Sequence, residues 1–134
     1  MEKKVFENKF IQFVFDEEKR LMKYTWGNTI GLFESDFKEI MGTQTEYLLR
    51  FKPQFLLIDN TNFSFPIDPE LQEWVNEQCL AQWRTASPQK IALTSTKEII
   101  AQLSLEQIWE EPIGRLFNVQ FFDNVEEVQW WLRD

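Results

Sequence analysis

Three strand-type runs separated by stretches of helical spacing constrain this fold more than any other feature. They are Phe55–Ile58 (FLLI), Lys90–Leu93 (KIAL) and Val119–Phe122 (VQFF). Strands that alternate with helices imply a largely parallel sheet joined by right-handed crossovers. Two further runs precede them. KFIQFVFD (Lys9–Asp16) and LMKYTWGN (Leu21–Asn28) alternate along their length and flank the charged turn Asp16–Arg20. That pattern predicts an antiparallel hairpin, which makes the sheet mixed. Lys3–Asn8 reads as a third, edge strand.

Helical spacing fills the intervals. From Leu32 to Phe51 a stripe of Phe33, Phe37, Ile40, Met41, Leu48 and Phe51 recurs at about 100° per residue, with Gln44 in its middle. Lys52-Pro53 ends that helix. A second helix is predicted from Pro69 to about Ala86, with Leu71, Trp74, Val75, Cys79 and Trp83 on its apolar face and Gln78 and Gln82 among them. Ser87-Pro88 stops it. Ser95-Thr96-Lys97-Glu98 has the spacing of a capping box. It predicts a third helix carrying Ile99, Ile100, Leu103, Ile108 and Trp109. Asp123-Asn124-Val125-Glu126 opens a terminal helix running to Leu132.

Composition narrows the chemistry. The chain has no histidine and one cysteine, Cys79. Ser-His-Asp and Cys-His catalysis in their usual forms are excluded, as are an intrachain disulfide and a thiolate zinc site. No glycine-rich phosphate loop is present. A formal net charge of −8 argues against nucleic acid and anionic membrane surfaces. No apolar run is long enough for a membrane span, and no signal peptide is read at the N-terminus. The expectation is a cytoplasmic, single-domain protein of 134 residues with no catalytic, metal or cofactor site. Thirteen Phe and six Trp are unusual. A buried Trp needs a partner for its N–H, so some of the six belong at an edge, a pocket wall or an interface. Trp130 and Trp131 are adjacent on a helix, so one must face outwards.

The richest stretch is FLLIDNTNFSFPIDPELQEW (Phe55–Trp74). Asp59 ends a strand where open α/β sheets often bind ligands. With Asp68 it could form a carboxylate pair for acid–base work or Mg²⁺. The structural reading is stronger: Asp59, Asn60 and Asn62 suit a self-bonded loop, and Asp68 before Pro69 is a helix N-cap. Thr94-Ser95-Thr96 and Asp123-Asn124 follow two other strands and should lie near Asp59 as a polar rim. Cys79 reads as a buried, inert thiol. Gln44, Gln78 and Gln82 lie in apolar stripes and need partners or a cavity.

The hairpin, the long helix, FLLID, the polar loop, DPELQEW and the ending FFDNVEEVQWWL together resemble the bacterial SpoIIAA-like (STAS-like) superfamily over most of the chain. The resemblance implies a mixed sheet packed by helices, with the N-terminal hairpin followed by α-β-α-β-α-β-α. In that superfamily's phosphorylated anti-sigma-factor antagonists, a loop bearing Asp-Ser-Ser-Gly presents a serine at a helix start. The corresponding place here reads Asp68-Pro69-Glu70-Leu71. Proline has no hydroxyl to phosphorylate, and Ser64 precedes the motif. The resemblance therefore implies a regulatory or protein-interaction domain without the phosphoswitch. Its binding surface would comprise Asp59, Asn60, Asn62, Ser64, Asp68, Glu70 and Trp74. The alternative is a small-molecule or lipid-binding protein with an aromatic-lined cavity. Homodimerisation through the first hairpin or an exposed Trp face is compatible with either.

Overall fold

In the computed structural model, which describes residues 1–133, the alternating runs pair as strands. They are β1 (Glu2–Glu7), β2 (Ile11–Asp16), β3 (Leu21–Trp26), β4 (Phe55–Asp59), β5 (Lys90–Thr94) and β6 (Val119–Phe122). They form one six-stranded sheet whose spatial order follows the chain, β1 to β6. The first three strands are antiparallel, and β3 to β6 run parallel. The N-terminal unit is therefore a three-stranded meander. Its outer strand begins with exposed Glu2, Lys3 and Lys4, charges that discourage further edge pairing.

The helices are α1 (Glu34–Phe51), α2 (Pro69–Trp74), α3 (Ala81–Ala86), α4 (Ile99–Glu110) and α5 (Val125–Arg133). Between α2 and α3 the chain winds as a π-helix, Val75–Leu80, where the sequence predicts uninterrupted α-helix. Because the parallel strands are added in one direction, right-handed crossovers place α1, α2–α3 and α4 on the same face. The main core lies between them and Phe13, Met22, Tyr24, Leu56, Ile58, Ile91 and Leu93. The other face has a smaller core, in which Val128 of α5 packs with Leu21, Leu57, Ala92 and Phe122. Burying a large side chain such as Phe13 or Leu56, both fully covered, contributes roughly 1.5–3 kcal/mol.

Polar groups lock the seams. The Trp83 indole donates to Thr45 Oγ1 at 2.8 Å, and Thr45 Oγ1 donates to the Met41 carbonyl at 2.8 Å. The Tyr24 hydroxyl donates to the Gln44 carbonyl at 2.7 Å. Burial pushes the Tyr24 phenol well above its ordinary range. The C-terminus of α1 is closed by Lys52 in the left-handed conformation and by Arg20, whose Nη2 reaches the Phe51 and Lys52 carbonyls.

Several predicted placements are corrected. Phe33 is not on the buried stripe of α1; it precedes the helix and is 72% exposed. Its backbone N–H is held by Asp36 at 2.9 Å, which stops the helix from extending back to Leu32. The Ser95–Glu98 capping box does not form. The α4 helix starts at Ile99, because Thr96 makes its own turn, accepting from the Glu98 N–H and donating its N–H to Gln102. As a result Ile99, Ile100 and Leu103 face outwards, and the buried side of α4 is Ala101, Ser104, Leu105 and Ile108. Gln78 and Gln82 are exposed. The buried amides of that segment are Gln72 and Asn76.

Candidate functional site

The loop from Asn60 to Asp68 crosses the C-terminal ends of the parallel strands. Asp59, on the α5 face of the sheet, anchors it. One Asp59 oxygen accepts from the Thr61 N–H at 3.0 Å, the Thr61 hydroxyl at 2.7 Å and the Thr94 hydroxyl at 2.9 Å. The Asn60 N–H donates to Thr94 Oγ1 at 2.9 Å. Ser64 is tied to Thr29, hydroxyl to hydroxyl at 3.0 Å and N–H to hydroxyl at 2.9 Å. The Ile67 N–H reaches Ser104 Oγ at 3.1 Å. Asp68 accepts the Leu71 N–H at 2.8 Å and caps α2 with Pro69 at its first turn. Asp59 and Asp68 thus serve separate backbone tasks, and no group of three or more metal-ligating side chains occurs among the described residues.

Beside the loop, an open cleft of ≈ 570 Å³ is bounded by Thr61–Ser64, Ser95–Glu98 and Asp123. The strand ends therefore do assemble the predicted polar rim. Of the predicted surface residues, exposed Asn62 and half-buried Ser64 line it, whereas Asp68 and Glu70, also exposed, lie outside its lining at the start of α2. Trp74 is half-buried too, with Lys38 Nζ 5.2 Å from its ring centre. Asn60 is the exception. It is fully buried, so it is not a surface contact. Side chains alternate along a strand, and the alternation continues past β4: Asp59 points to one face and Asn60 to the other, into the main core.

There Asn60 meets a second feature, a cavity of ≈ 40 Å³ between the sheet and the three helices. Trp26, Phe37, Phe63, Trp83 and Trp109 supply aromatic walls, and Gln44 supplies an amide. Val75 and Leu80, the ends of the π-helix, complete one side. Gln44 was legible as a polar break in an apolar stripe; Asn60 was legible only as a loop residue.

The network that positions the π-helix escaped sequence reasoning. Asn76 Nδ2 donates to the Ile108 carbonyl at 2.9 Å and to Glu111 at 3.1 Å. Gln72 Nε2 donates to the Ile67 carbonyl at 2.8 Å and to Gln107 at 2.9 Å. In this segment the sequence pattern singled out Gln78 and Gln82, which are exposed, and passed over Gln72 and Asn76. Cys79 is buried among these helices, and burial pushes its thiol up, against a smaller opposing effect of Thr45. That environment suits an inert thiol.

No helix among the described residues is long and apolar enough to cross a membrane. No family model, curated protein or solved structure matches the chain.

Proposed function

We propose that this chain is a non-enzymatic interaction domain of SpoIIAA-like architecture that docks a protein partner on its strand-end rim. One observation carries the reading. Ile30 (78%), Phe33 (72%), Ile99 (80%), Ile100 (65%) and Leu103 (51%) are all exposed. They sit where β3 and β5 lead into α1 and α4, on either side of the Asn60–Asp68 loop. Scattered exposed apolar residues are ordinary, but several large ones at one edge mark interaction surfaces. Exposed Asn62, Asp68 and Glu70, on the loop and at the start of α2, add polar and acidic groups, so the partner would present an apolar segment with basic or donor-rich flanks. The absence of histidine and the burial of the one cysteine support a binding role over a catalytic one. Pro69 leaves the place of the phosphoacceptor without a hydroxyl.

The test is partner capture with tagged protein. Ile99→Ser with Ile100→Ser, and separately Asn62→Ala with Glu70→Lys, should release a partner that co-purifies with the unaltered chain. All of these positions are exposed, so stability should stay within about 0.5 kcal/mol. A partner that remains bound to both double variants would show that the surface is wrongly placed.

The small-molecule reading is favoured by a separate observation, the amides of Gln44 and Asn60 at the internal cavity. At ≈ 40 Å³ that cavity is far below the roughly 300–1,000 Å³ of drug-sized pockets. Its volume suits a ligand of a few atoms rather than an acyl chain.

A further inference from the structure

Two buried amides without partners meet at the same small apolar cavity. Gln44 is 1% exposed and Asn60 is 0% exposed. Both line the cavity. Gln44 Nε2, Asn60 Nδ2 and Asn60 Oδ1 have no hydrogen-bond partner among the described residues. Buried polar groups in folded proteins are nearly always satisfied, and leaving one unsatisfied is destabilising. Elsewhere this chain follows the rule: Gln72 and Asn76, its other buried amides, bind carbonyls and neighbouring side chains. The backbone around the exceptions is accounted for as well. The Gln44 carbonyl accepts from Tyr24, and the Asn60 carbonyl accepts from the Phe63 N–H at 2.9 Å. The unpartnered groups are thus the side-chain amides of two residues that line the same cavity.

We propose that this cavity is a binding site for a very small neutral molecule that carries an acceptor oxygen beside a donor hydrogen, as amides and alcohols do. The oxygen would take the N–H groups of Gln44 and Asn60, and the hydrogen would go to Asn60 Oδ1. No lining residue is titratable. A charged ligand would lose its hydration with no counter-charge to replace it. The volume of ≈ 40 Å³ limits the ligand to roughly two to four heavy atoms. Trp109 is the one lining residue that is only half-buried, and it is the natural point of entry. The wall opposite the sheet includes both ends of the π-helix, a geometry common at functional sites. This site is separate from the strand-end rim, and neither proposal depends on the other.

The experiment is a titration of ¹⁵N-labelled protein with formamide, ethanol and, as a charged control, formate, following the side-chain NH₂ resonances of Gln44 and Asn60. Formamide or ethanol should shift both resonance pairs and saturate, with a Kd no tighter than about 0.5 mM for a three-atom ligand. The two arms distinguish the amide from the alcohol. Formate should leave both resonance pairs unmoved. Gln44→Met keeps the volume and removes the amide; it should abolish the saturating response. Linear, unsaturated shifts with every neutral probe would overturn the proposal. So would saturation by formate equal to that by formamide, or an unchanged response in folded Gln44→Met. The wild-type titration decides the matter alone if that variant does not fold. A high-resolution structure of formamide- and ethanol-soaked crystals showing only water on Gln44 and Asn60 would also overturn it.

Discussion

Asn76 Oδ1 accepts the backbone N–H of Gly114 at 2.9 Å, joining the π-helix to the turn that follows α4. The same side chain donates to the Ile108 carbonyl, one of the last in α4, which has no partner within its own helix. One amide therefore satisfies a donor and an acceptor on both sides of the helix end. Asn76→Ala would leave buried groups unpaired and should destabilise the fold by about 2–4 kcal/mol. Denaturant unfolding measures this directly. Gly114 leaves no room for a side chain: an added Cβ would run into the Ile108 carbonyl oxygen and the Trp109 backbone. Gly114→Ala should therefore also be destabilising, and the double variant should lose less than the sum of the two.

The Trp83–Thr45 pair should behave differently from a plain packing contact. Thr45→Val keeps the shape and removes the acceptor of a fully buried indole N–H. The expected cost is about 1–3 kcal/mol. Thr45→Ser keeps the hydroxyl and should fall well below Thr45→Val in the same unfolding series.

Glu111 makes stability depend on pH. Burial raises its pKa above the ordinary glutamate value, and repulsion from Glu73 and Glu77 adds to the rise. The folded state thus holds this proton more tightly than the unfolded chain does. The contribution is fully present below the unfolded pKa and is lost as pH rises through the raised folded value. Glu111→Gln should accordingly be more stable than the parent at neutral pH, with the gap closing in acid. Thermal melts across that range report the difference. A gap that widens in acid would contradict the assignment.

Asp59 offers a test of charge against geometry. Its one oxygen gathers three donors at the head of the loop, a task that a neutral amide oxygen also performs. Asp59→Asn should preserve the loop and cost little, whereas Asp59→Ala should loosen it. Backbone chemical shifts of Thr61 and Thr94 would distinguish the two.

Much of this architecture was legible in the sequence, because apolar periodicity reports what each element buries. The six strands and their order along the chain follow from KFIQFVFD, LMKYTWGN, FLLI, KIAL and VQFF together with the edge strand before them. The adjacent pair Trp130 and Trp131 divides as its spacing requires: Trp130 is 71% exposed and Trp131 packs on Phe122. Where the reading failed, a local polar contact outweighed the pattern. Thr96 formed its own turn and delayed α4, so Ile99, Ile100 and Leu103 rotated off the core. Asn60 was placed on the rim because loop residues usually face water, yet strand alternation carried it inside. Asn76 was invisible because its role rests on carbonyls distant in sequence. The rim itself was legible only as a meeting of strand ends; its apolar flank was not, since Phe33, Ile99, Ile100 and Leu103 had been assigned to helix stripes and Ile30 to no element.

A sheet whose spatial order repeats its chain order has a consequence for how the protein is made. Each strand leaving the ribosome finds its neighbour already synthesised, so no strand waits unpaired for a distant partner. The β1–β2–β3 meander can form before β4 exists, and each later helix–strand unit extends a surface already in place. One such surface stays uncovered even after the sixth strand is made. Leu21, Leu57, Ala92 and Phe122 lack their cover until α5, which follows all six strands in the chain, brings Val128 onto them. A truncation before Val125 would thus yield a chain with its sheet complete and one apolar face open, primed to aggregate rather than to unfold.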